Sequence, residues 1–204
     1  MKLFRIAPIL AVLIGLTLPI AASAAPRTDT VVLAGGCFWG VQGVFERLRG
    51  VVDTTAGFAG GSAMTAHYEV VSTGETGHAE SVRVVYDPRV ISFKQLLEVY
   101  FLVAHDPTEL NYQGPDEGTQ YRSAIFYTSG AQRAAALAEI SALSKAHLYS
   151  APIVTQVVPL AGFYPAEAYH QHYMDAHPDD GYIVANDRPK VENLRKKFPG
   201  LLKR

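Results

Sequence analysis

The sequence predicts one α/β domain, an α+β two-layer sandwich in which helices pack on a mixed β-sheet. Three observations predict it. Short apolar or alternating stretches are interleaved irregularly with segments whose apolar residues recur at helical spacing. No repeat, low-complexity tract or linker interrupts the chain after residue 30. A length of 204 residues, 49% of them hydrophobic, suffices for one well-filled core and is short for two.

The elements follow in order. Thr30 to Ala34 is a short apolar strand ending at Gly35-Gly36. A helix is expected next, because Val41, Val44, Phe45 and Leu48 recur at i, i+3, i+4 and i+7, and Gly50 stands where its C-terminus would close. Val51 to Phe58 reads as a strand stopped by Gly60-Gly61, and Ser81 to Tyr86 as an alternating strand turned by Asp87-Pro88. Ser92 to Ala104 reads as a helix. Ser92 and Gln95 have capping-box spacing, and Leu96, Leu97, Tyr100, Phe101 and Ala104 share one face. His105 to Gln120 is a polar loop of 16 residues holding Pro107, Gly114, Pro115 and Gly118. Loops that long in a compact domain are usually functional. Tyr121 to Thr128 is expected as a strand, Ala131 to Ala146 as an alanine-rich helix and Ile153 to Pro159 as another strand. A last short helix is expected from Pro165 to Ala176.

The first stretch reads as a leader rather than as part of the fold. Lys2 and Arg5 form a basic start, Ile6 to Ile20 is almost wholly apolar, and Ala22-Ser23-Ala24 offers the small residues a signal peptidase reads. Cleavage after Ala24 is expected, because cleavage one residue later would leave Pro26 first. The apolar run is shorter than the ~18 to 20 residues that span a bilayer, and Pro8 interrupts it. The expectation is therefore an exported, periplasmic protein with a signal peptide over 1–24 and a single catalytic domain over 25–204. No stable membrane association is expected after cleavage.

Charge narrows the partners. Charged residues make up 18% with both signs mixed, and the formal net charge is -1, which gives no electrostatic case for nucleic acid or an anionic membrane surface. The chain has one cysteine, so no internal disulfide can form in the oxidising compartment that a leader implies. Such a cysteine is a buried inert thiol, an intermolecular partner or a reactive group.

Its setting favours the last. Cys37 lies between a strand and a helix in Gly35-Gly36-Cys37-Phe38-Trp39-Gly40. The glycines permit a sharp turn and leave room for a second molecule. A helix start directs free N–H groups and the positive end of a dipole at the sulfur, which favours thiolate over thiol. Phe38 and Trp39 put apolar faces beside it. A buried core cysteine also fits a strand end, since free cysteine is among the most buried residue types.

Gly36-Cys37-Phe38-Trp39-Gly40 resembles the signature of the A-type peptide methionine sulfoxide reductases. Ala56-Gly57-Phe58-Ala59-Gly60-Gly61 is similar to the family segment after the first helix. Tyr68-Glu69-Val70-Val71-Ser72 with Thr76-Gly77-His78-Ala79-Glu80 resembles the next block. Gly118-Thr119-Gln120-Tyr121-Arg122-Ser123 and Ala168-Tyr169-His170-Gln171 resemble two later ones. These blocks lie in the family's order over about residues 30 to 200.

The resemblance implies a ferredoxin-like core with extensions, and reduction of methionine S-sulfoxide, free or in proteins, to methionine. Cys37 would attack the sulfoxide sulfur and Glu80 would protonate the oxygen, which requires a raised carboxyl pKa. Tyr68 and Tyr121 would hydrogen-bond that oxygen, Asp116 would belong to the same pocket, and Phe38 and Trp39 would cradle the methyl group on sulfur. Cys37 would finish as a sulfenic acid. Many family members recycle it through further cysteines near the C-terminus; Tyr182 to Arg204 contains none. The resemblance therefore implies no cofactor, and an external thiol reductant, either thioredoxin-like or glutathione/glutaredoxin-like, acting on a monomer.

Three rival readings stand beside this one. His170, His172 and His177 with Asp175 could outline a metal site, although His170 and His172 would face opposite sides of a helix. A cysteine followed by histidines is also the broad outline of a thiol protease, but nothing singles out one histidine as its base. A module binding methionine-rich peptides without turnover would need neither Cys37 nor Glu80. His78, in the Gly-His-Ala-Glu run, reads as structural, or as a support behind the site, rather than as a base.

Overall fold

The computed structural model describes residues 28–203, and the leader expected over 1–24 lies outside them. The first half of the chain runs β1 (Asp29–Ala34), α1 (Phe38–Phe45), β2 (Val51–Ala59), α2 (Tyr68–Val71), β3 (Ala79–Tyr86) and α3 (Phe93–Val99). The second half runs β4 (Tyr112–Gln113), β5 (Asp116–Glu117), β6 (Ala124–Tyr127), α4 (Gly130–Lys145), β7 (Gln156–Pro159), β8 (Phe163–Pro165), α5 (Tyr173–Ala176) and α6 (Arg188–Lys197).

Six strands form one sheet in the order β7-β6-β1-β3-β2-β8. Its centre, β6-β1-β3-β2, is antiparallel throughout, with α1 joining β1 to β2 and α3 lying between β3 and β6. That is the split βαβ arrangement of a ferredoxin-like core. Two extensions make the sheet mixed and longer. After α4, β7 lies parallel to β6, and β8 adds antiparallel to β2. The expected fold class holds.

Strand alternation decides which face is which. Val31 and Leu33 of β1 and Val82, Val84 and Tyr86 of β3 face the helices, packing with Val41, Val44 and Phe45 of α1 and Leu96 and Leu97 of α3. Val32 and Ala34 face the other side with Phe126 and Phe163. The expected capping box at Ser92 and Gln95 is present, with the Gln95 N–H donating to Ser92 Oγ at 3.2 Å and the Ser92 N–H to Gln95 Oε1 at 2.9 Å. Beyond Val99 the helix continues as a wider π-helical turn over Tyr100–Ala104. This turns the Tyr100 hydroxyl to the Ala34 carbonyl (2.7 Å), fixing the end of β1 just ahead of the cysteine loop.

Four expectations need correction. The first helix stops at Phe45 rather than running toward Gly50: the chain turns, Leu48 bridges to Leu202, and Gly50 follows with φ +92. The loop at His105 to Gln120 has structure of its own. Gln113 is held to Asp106 by a pair of bonds, and β4 and β5 form a small hairpin. Tyr121 ends a one-turn 3₁₀ segment, Thr119–Tyr121, and the strand begins only at Ala124. Finally, 165–176 is not one helix. Residue 165 ends β8, and the Gln171 side chain pairs with both the N–H and the C=O of Ala56 at 2.9 Å, acting as one more strand residue. Ala168–His170 makes one 3₁₀ turn, His172 then takes a left-handed φ of 53, and only Tyr173–Ala176 is α-helical. Helix α6, not anticipated, had the usual signals. Pro189 stands in its first turn, Val191 and Leu194 at i and i+3, and Arg195, Lys196 and Lys197 in its last turn.

Candidate active site

The end of β1 delivers the cysteine. Gly36 has φ +84, a conformation a side chain strains, and the space over it is taken by Gln113 of the hairpin. A Cβ at Gly40 would stand 2.0 Å from Asp187 Oδ1. The glycines around Cys37 thus admit neighbours from the protein itself, rather than the second molecule expected from sequence. Cys37 takes the N-cap position of α1 without a side-chain cap bond, and the chain turns into the helix with the residue 8% exposed.

A cavity of about 180 Å³ opens there, lined by Cys37, Phe38, Trp39, Tyr68, Glu80, Asp116, Tyr121 and Tyr182. Every expected site residue is among them, brought from α1, α2, β3, the hairpin and the 3₁₀ turn.

Glu80 shares its strand face with Val82, Val84 and Tyr86, a carboxyl at the end of an apolar row and only 2% exposed. Its strand is central in the sheet rather than a solvated edge. The Phe38 N–H donates to Glu80 Oε2 at 3.0 Å, while Oε1 takes no hydrogen bond among the described residues. Burial drives its pKa up to about 8; the Phe38 bond opposes this and the charges of Asp116 and Asp187 add to it. Glu80 is therefore mostly protonated at neutral pH.

Two tyrosines face it from one-turn helical segments, and neither hydroxyl has a protein partner among the described residues. Tyr68 opens α2, where its N–H donates to Glu167 at 3.1 Å. Tyr121 is held nearby because Gln120 Nε2 donates to the Ser72 carbonyl (3.1 Å) and Thr119 Oγ1 to the Gly74 carbonyl (2.6 Å). Burial pushes the Tyr68 pKa up to about 12 and that of Tyr121 upward too, so both hydroxyls stay protonated donors.

The aromatic floor is continuous. Phe38 packs on Phe58 and His170 with ring centroids 5.8 and 5.0 Å apart. Trp39 stacks on Tyr173 at 3.8 Å and donates its indole N–H to His170 Nδ1 at 3.1 Å.

The state of Cys37 departs from expectation. Burial and the charges of Glu80 and Asp187 raise its pKa well above that of a free thiol; the Trp39 N–H and Lys190 only partly oppose them. The resting sulfur is a thiol. The helix start is real, but α1 is eight residues long and the desolvation of a buried anion outweighs it.

Tyr182 was missed. Its hydroxyl donates to Asp116 Oδ2 and its ring meets Trp39 edge-on at 5.9 Å, closing the cavity. Only an aromatic residue after Asp179-Asp180-Gly181 marked it, a weak signal. Burial raises the pKa of Asp116, against the pull of Tyr182 and Lys190.

The rival histidines scatter. His172 Nδ1 meets Glu46 at 2.8 Å, and His177 stacks on Tyr173. Among the described residues no group of three or more His, Cys, Asp or Glu side chains is placed to hold a metal. His78 is buried, with Nε2 2.9 Å from the Ser62 carbonyl, a structural contact.

The family model of the peptide methionine sulfoxide reductases matches residues 29–201. The chain belongs to that family. It is 54% identical over 178 residues to peptide methionine sulfoxide reductase MsrA 2 of Mesorhizobium japonicum, covering 87% of this chain and 91% of that one. Among solved structures it is similar to reduced Mxr1 of Saccharomyces cerevisiae, with a TM-score of 0.69 and 35% identity over 75% of this chain and 87% of that chain. The yeast protein in complex with Trx2 also matches, at TM-score 0.50 and 24% identity over 76% of this chain and 91% of that one, a likeness of fold. The reductase activity expected from the sequence is that of the family.

Proposed function

We propose that the protein reduces methionine S-sulfoxide, free or in proteins, with Cys37 as nucleophile and Glu80 as acid. The observation that carries this is a protonated, buried carboxyl in the same cavity as the only thiol, with two unpaired tyrosine hydroxyls facing them. The sulfoxide oxygen sits between Glu80 and the hydroxyls of Tyr68 and Tyr121, and the methyl group packs on Phe38 and Trp39. Glu80 gives its proton to the oxygen as a bond forms between Cys37 sulfur and substrate sulfur. That bond then breaks, the hydroxyl passes to Cys37 as a sulfenic acid, methionine leaves, and the proton of the original thiol restores Glu80. Asp116 and Tyr182 hold the wall of the cavity.

The sequence has no second cysteine, so an external thiol reductant completes the cycle. One thiol condenses with the sulfenic acid, releasing water and leaving a mixed disulfide, and a second thiol frees Cys37. A thioredoxin-like protein or a glutathione/glutaredoxin-like system has the required chemistry. The Lys2–Ala24 leader pattern supports export to the periplasm, where the chain works as a monomeric repair enzyme without a prosthetic group or a membrane anchor.

The test is turnover of resolved methionine sulfoxide epimers with dithiothreitol. The S epimer is consumed and the R epimer is left, and Cys37→Ser abolishes the reaction while the protein stays folded. Turnover by the folded serine variant, or equal use of both epimers, rules the assignment out.

A further inference from the structure

We propose that Asp187 and Lys190, at the start of the last helix, set the charge state of Cys37: the buried carboxylate neutralises Lys190 and so keeps the resting nucleophile a thiol. This rests on Cys37 being the nucleophile of the proposed reaction, in which Asp187 and Lys190 then act as positioning residues.

The pair is seated against the cysteine's own helix. Asp187 is 0% exposed, its Oδ1 accepts from Lys190 Nζ at 3.0 Å, and its Oδ2 has no partner. Gly40 lies one turn after Cys37 on α1, and a Cβ there would stand 2.0 Å from Asp187 Oδ1 and 2.9 Å from Lys190 Nζ. Only a bare backbone at 40 lets the ion pair approach this closely. A buried ion pair adds little to stability beyond what apolar side chains would, so its place beside the nucleophile calls for another role.

The other groups around the sulfur do not supply a cation. Glu80 on β3 and Asp116 on β5 are carboxyls, and Tyr68, Tyr121, Tyr173 and Tyr182 present neutral hydroxyls. His105, which feels the Lys190 charge, is held neutral by burial, with a pKa of about 3. The residues of α1 itself carry no charge. Lys190 is thus the one cation acting on Cys37 among the described residues, and Asp187 opposes it with the stronger effect. A thiol kept protonated resists peroxide, because the thiolate is the form that oxidises. That matters for an enzyme with no second cysteine to rescue it.

The experiment is the pH dependence of Cys37 alkylation by iodoacetamide, clean because the chain has one thiol. In Asp187→Asn, Lys190 is left unneutralised: the midpoint falls by about one pH unit and alkylation at pH 7 speeds about tenfold. Adding Lys190→Met to Asp187→Asn takes back part of that gain, the remainder being the direct loss of the Asp187 charge. Asp187→Ala carries the same test if the asparagine variant does not fold, folding being checked by circular dichroism. A folded Asp187 variant with the wild-type profile overturns the proposal, as does a gain that loss of Lys190 leaves undiminished. Alkylation needs no sulfoxide, so such a result leaves the reductase assignment standing, whereas turnover by Cys37→Ser removes that assignment whatever the profile.

Discussion

The two sides of the cavity are built differently. Cys37, Phe38 and Glu80 come from the end of β1, the start of α1 and the apolar face of β3, and all are buried. Tyr68, Tyr121 and Asp116 come from a one-turn helix, a 3₁₀ turn and a small hairpin, and Tyr182 from the start of the C-terminal helical segment, and each is partly exposed. The buried side carries the groups whose protons must be tuned, since desolvation is what raises a carboxyl to near neutrality. The other side carries hydroxyls that need only point inward, and side-chain bonds to backbone carbonyls at Ser72 and Gly74 suffice to hold them. Tuning comes from regular structure, and donor placement from tied loops.

The largest effect expected is on the buried side. Glu80→Gln keeps the hydrogen-bonding shape but cannot deliver a proton, and single-turnover reduction should slow by roughly two to four decades. A near-normal rate would move the acid elsewhere. A pH profile sharpens the same point. With the Glu80 pKa at about 8, the chemical step should fall as pH rises through about 8, and Glu80→Gln should lose that limb. The sign for stability follows. The folded-state pKa lies above the ordinary carboxylate value of 4.5, so the folded protein binds this proton more tightly than the unfolded chain. Glu80 then makes the fold less stable as pH rises from about 4.5 to about 8, which Glu80→Gln should flatten in thermal melts.

The loop side should give less. Tyr68→Phe and Tyr121→Phe should each slow reduction by about tenfold, the loss of one hydrogen bond of about 1.4 kcal/mol. The double variant should cost more than either. If one tyrosine proves as costly as Glu80, the division between tuning and placement fails. Smallest for chemistry is Gln171→Ala. It strands the N–H of Ala56, whose C=O keeps the Ala166 N–H, and should destabilise the fold by about 1–3 kcal/mol while leaving the single-turnover rate within about threefold.

How far this was legible in the sequence follows the same division. Cys37 announced itself by its glycine and aromatic flank, and the central strands by alternation and helical spacing. Glu80 had a readable signal as well, since it stands in step with Val82, Val84 and Tyr86, but the expected strand started one residue too late to show it. On the loop side, the long stretch around Asp116 was flagged by its length, while the roles of Tyr68, Tyr121 and Asp116 were legible only through resemblance to the family. Tyr182 and Asp187 reach the site by tertiary packing of a C-terminal segment whose pattern gives no hint of what it touches. The thiolate was misread for a related reason: helix polarity is local and visible in sequence, whereas desolvation is not. At 165–176, a glutamine side chain pairing with a strand displaced a helix that spacing alone allowed.

The most direct measurement is the intact mass of the protein after one equivalent of methionine S-sulfoxide without reductant. One molecule of methionine per chain should appear together with one added oxygen, and a sulfenic acid probe should place that oxygen on Cys37. Methionine formed with no oxygen on Cys37, or with a disulfide between two chains as the main product, would contradict it.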